Sequence, residues 1–305
     1  MTNPQVASSD EIDLRELFSA IWQGKWLIIA VTSIFTIASV FIALSLPDVY
    51  TSEVTLAPAE DNSLKVPGQL GGLAALAGVN LGGMAGGDKS GLALEILKSR
   101  DFITRFIEKN DLYIPIMAVK GWDRQQNKLL IDPDIYSESA QSWVRDVKPP
   151  FQPKPSSLET VEEFRKLFSV NKDKVSGMVT ISIEHYSPFL AKDWVEKIVQ
   201  AINEEMRSRE LTEAERSINY LNSKIAQTNI ADVRSMLYSL IEEQTKTVML
   251  ANVRPEYVFK TVDPAVVAEK KVKPNRVLIV VFTVLLSSMF MSFIVVFRYL
   301  NRRSN

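Results

Sequence analysis

Two long apolar runs dominate the hydrophobic pattern of this chain. Trp26 to Pro47 covers 22 residues without a charged side chain, and Val277 to Phe297 covers 21. About 20 apolar residues are needed to cross the hydrocarbon core of a bilayer as a helix. The first run is too long for the apolar core of a signal peptide and lacks a small-x-small cleavage site. The pattern predicts two transmembrane helices, at residues 26–47 and 277–297.

The charges beside the spans predict their orientation. Two spans place both ends of the chain on one side of the membrane and the intervening loop on the other. Arg15 and Lys25 precede the first span, whereas only Lys65 follows it within about 20 residues. Positive residues stay inside and the first helix usually decides, so we expect segments 1–25 and 298–305 to be cytoplasmic. Basic residues flank the second span on both sides and add no preference.

Alternating and helical patterns follow one another in the loop. Alternation of apolar and polar residues predicts strands, and a period near 3.6 residues predicts helices. The predicted elements are a strand at 49–58, a helix at 91–109 starting from Ser90, a helix at 160–168, and strands at 178–186 and 255–265. Several prolines interrupt residues 110–158, where we expect irregular structure with Trp122 and Trp143 as packing anchors.

A long helical arm follows the strand at 178–186. Ser187 and Pro188 form a start signal, because serine caps a helix and proline is favoured at its first position. No proline or glycine occurs from there to Gln227, which predicts about 60 Å of continuous helix. A turn at Asn229, the expected next N-cap, leads into a second helix at 230–250.

Both arm helices carry an apolar seam. The seam of the first helix has a 3-4 spacing: Leu211, Ala214, Ile218, Leu221 and Ile225. The second helix offers Val233, Leu237, Leu240 and Val248. The two seams can pair as an antiparallel hairpin, or a neighbouring subunit can supply the partner. The first seam is therefore also a candidate oligomerisation surface.

Together these elements predict an α+β membrane protein. Two transmembrane helices flank a mixed α/β base within residues 48–276, and a long helical arm at 188–250 extends from that base. Strands before and after the arm flank the two spans, and we expect them to pair. The formal net charge of −1 gives no field that would recruit nucleic acid.

Candidate chemistry is sparse. The sequence has no cysteine and one histidine, His185, which excludes thiolate chemistry, Cys-type zinc sites and multi-histidine sites. Catalytic motifs are absent, and paired glutamates are interpreted as solvated helix faces. We predict no enzyme, cofactor or metal, and a structural role for His185. The basic run from Lys270 to Arg276 is interpreted as an interfacial anchor, with anionic head groups or an anionic glycan as the alternative ligand.

A glycine-rich loop at 68–91 holds nine of the 12 glycines. Its stretch GGMAGGDKSGL is similar to a phosphate-binding P-loop, but Asp88 stands where the second glycine belongs and no buried strand precedes it. Small residues recur at every fourth position, at Ala74, Gly78, Gly82 and Gly86. This spacing permits close helix approach. We expect a flexible loop, or a segment that orders against neighbouring subunits or the membrane surface inside an assembly, which makes Gly78 and Gly82 candidate oligomerisation residues.

Several long stretches resemble the Wzz-type chain-length determinants, class 1 polysaccharide co-polymerases of Gram-negative inner membranes. IDLRELFSAIWQGKW is similar to the family's cytoplasmic lead, YTSEVTLAP to its first strand and ALEILKSRDF to its first periplasmic helix. The longest similar stretches are SPFLAKDWVEKIVQAIN and LIEEQTKTVMLANVRPEYVFKTVDPAVVAEKKVKP, which leads into the second span. Together they cover most of the chain.

The resemblance implies a function and a set of partners. Such proteins are non-enzymatic homo-oligomers, with a periplasmic loop, that set how many repeat units a Wzy-type polymerase adds to lipid-linked O-antigen. The implied partners are further copies of the chain, the polymerase, the lipid-linked polysaccharide and inner-membrane lipids. The alternative is a periplasmic adaptor of capsule, exopolysaccharide or enterobacterial common antigen synthesis and export.

The approach to the second span departs from the family pattern. Pro264 and Pro274 keep part of its proline-rich character, but a proline common between them is missing. The span also lacks the glycine of many relatives, so Ser287 and Ser288 are the small residues available for close packing. These four residues are the candidates for coupling to the polymerase.

Overall fold

The computed structural model describes residues 22–59 and 89–304. The chain divides into two compact units. One unit consists of Met1–Asp48 with Val272–Asn305, and the other, the loop domain, is Val49–Lys271.

The described elements follow one another in an α+β order with a long apolar helix at each end. In chain order they are α1 (Lys25–Ser45), β1 (Tyr50–Pro58), α2 (Lys89–Lys98), α3 (Arg100–Lys109), α4 (Tyr113–Met117), β2 (Val119–Asp123), β3 (Lys128–Ile131), β4 (Tyr136–Ser137), β5 (Ser142–Trp143), α5 (Ser157–Leu167), β6 (Phe168–Lys172), β7 (Val179–His185), α6 (Pro188–Gln227), α7 (Ala231–Val253), β8 (Phe259–Asp263) and α8 (Arg276–Ser304). This is the predicted fold class.

The first unit is the membrane pair, formed by α1 and α8. Both helices are long and apolar enough to cross a membrane, as the two hydrophobic runs predicted. Few of their side chains are buried in the protein, which suits helices that face lipid. They pack antiparallel, because Gly24 lies against Val295 at one end and Arg276 donates a hydrogen bond to the Ala43 carbonyl at the other.

A four-stranded antiparallel sheet in the order β6-β7-β1-β8 forms the base of the loop domain. Tyr50 pairs with His185 and Leu56 with Val179, so β1 and β7 share their buried face. The alternation predicted for both strands is confirmed, since every second residue of each is buried. The predicted pairing of strands before and after the arm is also confirmed, because β1 lies between β7 and β8.

The first half of α6 packs on the sheet and completes the core. Its buried positions are spaced three or four residues apart and include Trp194, Ile198 and Ile202. Helices α2, α3 and α5 supply further core side chains, among them Leu97 and Phe164. Ser187 caps α6 by accepting a hydrogen bond from the Leu190 N–H at 3.4 Å, and the helix runs unbroken for 40 residues, as predicted.

Several predicted helix boundaries are wrong. The helix expected to start from Ser90 already includes Lys89, and the helix expected at 160–168 is α5, Ser157–Leu167. The single helix expected at 91–109 is two helices, because Ser99 ends α2 and caps α3 by accepting a hydrogen bond from the Phe102 N–H at 3.2 Å. The second arm helix is capped at Ile230, which has no side-chain acceptor, and not at Asn229. Serine and asparagine can cap a helix or lie elsewhere in a turn, so the sequence alone does not decide at which residue a helix begins or ends.

The region expected to be irregular, 110–158, contains a short helix and two small hairpins. Neither tryptophan in it is a buried anchor, since Trp122 and Trp143 are both only half-buried. Trp143 packs edge-on against Tyr136 at a ring-centroid distance of 5.2 Å. The fully buried anchor of the domain is Trp194 in α6.

A buried asparagine fastens the arm to the strand that follows it. The Asn203 Oδ1 atom in α6 accepts hydrogen bonds from the N–H groups of Val258 at 2.8 Å and Phe259 at 3.0 Å. Its Nδ2 atom donates to the carbonyls of Val199 and Phe259, both at 3.2 Å. One side chain thus binds three backbone groups where the chain enters β8 and one carbonyl of its own helix, and the two N–H groups would be costly to leave unpaired in the core.

Replacing Asn203 with alanine should destabilise the loop domain. Two buried N–H groups lose their acceptor, at about 1–3 kcal/mol each, so we expect the melting temperature of the detergent-solubilised protein to fall by about 5–10 °C. Circular dichroism on heating measures this. Asn219→Ala, on an exposed position of the same helix, is the control, and an equal shift in both variants would contradict the assigned role.

Candidate assembly and membrane-coupling sites

The apolar seam of the first arm helix is the side of α6 that packs on α7. Ala214 and Ile225 are buried, and the other three predicted residues, Leu211, Ile218 and Leu221, are half-buried. Helices α6 and α7 form the antiparallel hairpin that the sequence left as one of two alternatives. Within the described chain, α7 therefore supplies the partner of this seam.

The seam predicted for the second arm helix needs one correction. Val233, Leu237 and Val248 lie on the half-buried side of α7, but Leu240 is 41% exposed. Ile241 takes its place, because a spacing of four residues from Leu237 continues the buried side here. The hairpin also exposes large apolar residues, which do not share one side: Tyr220, Met236, Tyr238 and Met249.

Ion pairs attach the helices after the glycine-rich loop to α6. The Arg105 guanidinium in α3 binds both carboxylate oxygens of Glu205 at 2.7 and 3.2 Å. Arg209 donates to the same carboxylate at 2.7 Å. The hydrogen bond from Arg105 is the largest influence on Glu205 and holds the pKa of that carboxyl below its usual value, against a smaller opposing effect of burial. Lys89 at the start of α2 pairs with Glu210 at 3.2 Å.

The single histidine is a buried structural residue. His185 ends β7, where its Nδ1 atom accepts a hydrogen bond from the Ser187 N–H at 3.0 Å. Its Nε2 atom lies 3.2 Å from the Pro115 carbonyl oxygen, and its ring packs on Trp194 at 4.9 Å. Burial lowers the pKa of His185, against smaller opposing effects of its bonds to Pro115 and Ser187. The neutral ring fits this position, since Nδ1 must accept.

An arginine joins the ends of the membrane pair at the loop side. The Arg276 Nε atom donates to the Ala43 carbonyl at 2.9 Å, and Nη2 donates to the Asp48 carboxylate at 2.9 Å. Nη2 also reaches the Leu46 carbonyl at 3.4 Å. A cation at the last carbonyls of a helix is favourable both as a donor and by its charge. The sequence interpretation of a general basic anchor missed this specific contact.

Close packing of the membrane pair depends on small residues in α1 and on Gly24, the residue that precedes it. A Cβ atom added at Gly24 would lie 2.5 Å from the Val295 Cγ1 atom, and Ser39 and Ala43 are the buried residues of this helix. Ser287 and Ser288, the small residues expected to serve this purpose, are half-buried and donate to carbonyls of their own helix at 3.2 and 3.0 Å.

The remaining candidate residues are scattered or outside the described chain. Pro264 is exposed and Pro274 is half-buried. Gly78 and Gly82 lie outside the described residues, as does most of the glycine-rich loop. Within residues 22–59 and 89–304, no group of three or more histidine, aspartate or glutamate side chains is placed to hold a metal ion.

Comparison with known proteins gives a family match to part of the chain. Residues 10–110 match the model of the Wzz family, described as chain length determinant protein, which confirms the resemblance to Wzz-type proteins. The match covers the first span, β1 and helices α2 and α3. No curated protein matches the sequence.

One of the similar solved structures is a full-length bacterial polysaccharide co-polymerase. It is 13% identical, with 96% of this chain and 99% of that chain covered, at a TM-score of 0.38.

The buried histidine predicts a pH dependence of stability. With its folded pKa lowered, the unfolded chain binds the proton first, so stability is fully present above pH of about 6.5 and falls as the pH drops below it. We expect the melting temperature of the full chain to fall between about pH 7.5 and about pH 5.5. His185→Gln, which cannot titrate but keeps donor and acceptor atoms, should flatten this slope. Identical slopes in both proteins would refute the assignment.

The contact at Gly24 predicts a suppressor pair. Gly24→Ala should destabilise the membrane pair by about 1–3 kcal/mol, because its new methyl group overlaps the β-branched side chain of Val295. Val295→Ala removes the two nearest carbon atoms and should restore most of the loss in the double variant. Thermal unfolding in detergent measures both effects. Val281→Ala, at a half-exposed position of α8, should give no rescue; equal rescue would argue against the contact.

Proposed function

With the Wzz match of residues 10–110 as the premise, we propose that this protein is a non-enzymatic regulator of lipopolysaccharide O-antigen chain length. It is held in a Gram-negative inner membrane by α1 and α8, with both termini in the cytoplasm and the loop domain in the periplasm. Its partners are further copies of the chain, a Wzy-type polymerase and lipid-linked polysaccharide. The family match, which includes the first span and β1, is the observation that carries this proposal.

In this proposal the arm is the element of assembly. The seam residues from Leu211 to Ile225 act by holding α6 and α7 together. The exposed apolar side chains on the hairpin, such as Met236 and Tyr238, are then available to neighbouring copies. Exposed apolar side chains favour association, because contact removes them from water. Gly78 and Gly82 remain candidates for a second assembly contact.

Coupling to the polymerase is assigned to the second span and its approach. Pro264 and Pro274 restrict the backbone of the segment between β8 and α8. Ser287 and Ser288 satisfy their hydroxyl groups within α8, so a partner helix can approach them without breaking a bond to another helix. Small residues of this kind permit close contact between helices in a membrane.

Deleting the gene should change the lipopolysaccharide ladder on a gel from a clustered to an unclustered distribution of chain lengths. The wild-type gene should restore the cluster. Ile218→Asp, which places a charge in the α6–α7 seam, should fail to restore it and should lower the mass of the detergent-solubilised oligomer. Asn219→Asp, at the neighbouring exposed position, is the matched control.

An unchanged ladder in the deletion strain would contradict the proposal. Loss of capsule with a normal ladder would favour the adaptor alternative instead. A restored ladder with Ile218→Asp would remove the arm seam from the assembly role and leave the family function in place.

A further inference from the structure

Three aromatic side chains meet at the β2–β3 hairpin of the loop domain. The Trp122 ring lies edge-on to Tyr50 at a centroid distance of 5.8 Å and tilted against Phe189 at 6.0 Å. Tyr50 is buried and Trp122 half-buried, but Phe189 leaves 48% of its surface exposed. We name Trp122 and Phe189 the aromatic platform. Unlike the core aromatic residues, it presents ring surface to solvent.

A rigid polar turn borders the platform. The Trp122 indole N–H donates to the Asn127 Oδ1 atom at 3.0 Å, which fixes the ring relative to the turn. Asp123 closes the turn by accepting from the N–H groups of Gln125 and Gln126 at 2.8 and 3.2 Å. The exposed side chains of this turn are planar hydrogen-bonding groups: Arg124, Gln125, Gln126 and Asn127.

We propose that the aromatic platform and this turn form a binding subsite for a saccharide unit. One face of a pyranose ring presents C–H groups with partial positive charge, which complement the negative face of an aromatic ring. Adjacent sugar hydroxyls both donate and accept, and planar amide, carboxylate and guanidinium groups bind them in pairs. The WDRQQN stretch supplies both kinds of group within six residues.

The composition of the turn favours a sugar over a membrane surface. Residues that lie on anionic lipid combine aromatic rings with lysine or arginine. From Asp123 to Asn127 the turn combines three amides with one carboxylate and one arginine, and its lysine neighbours, Lys120 and Lys128, lie on the two strands. Amides are the most numerous groups of the turn, and they bind sugar hydroxyls in pairs. The proposed occupant is therefore a glycan that binds through hydrogen bonds.

This subsite deepens the proposed function, on which it rests. A chain-length regulator must respond to the polysaccharide or to the enzyme that extends it, and the subsite provides a direct contact with the polysaccharide. Strand β1 begins at Tyr50, five residues after α1 ends at Ser45. A contact at this strand would suit a polymer whose lipid end is held in the same membrane.

The experiment measures binding of O-polysaccharide, released by mild acid from the strain's own lipopolysaccharide, to the full-length protein in detergent. Isothermal titration gives the dissociation constant. Phe189→Ala should weaken binding about tenfold or more, and Phe189→Leu, which keeps apolar contact with Trp122 but removes the ring, should weaken it to a similar extent. Gln126→Ala should weaken it several-fold. Phe151→Ala, with 54% exposure at a distant loop, is the control.

Unchanged affinity in both Phe189 variants would overturn the subsite, as would an equal loss in Phe151→Ala. The full-length protein and its Trp122→Phe variant, each placed in nanodiscs with brominated lipids, test the membrane alternative, because the difference between their fluorescence quenching reports on Trp122. Strong quenching by these lipids would show lipid contact and overturn the glycan assignment, whereas protection of Trp122 by the polysaccharide would support it.

The two proposals can fail separately. If the deletion changes the ladder but Phe189→Ala restores it and binds polysaccharide like the wild type, only the subsite is wrong. If the deletion leaves the ladder unchanged, the O-antigen role is wrong, and the binding measurement still decides whether the platform recognises a glycan.

Discussion

The loop domain depends on the pairing of β1 with β7 on one side and β8 on the other. β1 follows the first span, β7 leads into the arm and β8 returns from it, so one central strand joins three distant parts of the chain. Closing such long loops has an entropic cost that grows only slowly with their length. A continuous backbone ladder and the apolar face beneath it offset that cost. The arm can therefore be long without weakening its attachment.

Buried polar side chains supply hydrogen bonds where the ladder between β1 and β8 is irregular. β1 and β8 shift register between Thr55 and Leu56, and only the last part of β1, residues 55–58, pairs with β8. Asn203 binds the backbone at the entry to β8, and the Ser52 hydroxyl donates to the Val266 carbonyl at 2.8 Å beyond its end. Each polar group satisfies backbone atoms that the sheet leaves unpaired, because a buried amide without a partner is costly.

Periodic features of the sequence were predictable, and contacts that depend on distant residues were not. The apolar runs, the alternation of β1 and β7 and the unbroken stretch of α6 each follow from local pattern. Gly24 precedes a span, but its role needs Val295 at the other end of the chain. Asn203 interrupts an apolar stripe, which signals a buried polar group without naming its partner. Trp122 is half-buried because it packs on Phe189, a residue 67 positions later, and the sequence does not show that the two rings meet.

The continuity of α6 links the core to the arm. The same 40-residue helix supplies Trp194 to the core and Ala214 to the hairpin, with no proline, glycine or break between them. A continuous helix transmits position because its backbone hydrogen bonds are all internal, whereas a hinge would need a break in them. The position of the arm is therefore set by how the first half of α6 packs on the sheet. A protein that acts by geometry needs this property, because its effect depends on where its surfaces are held.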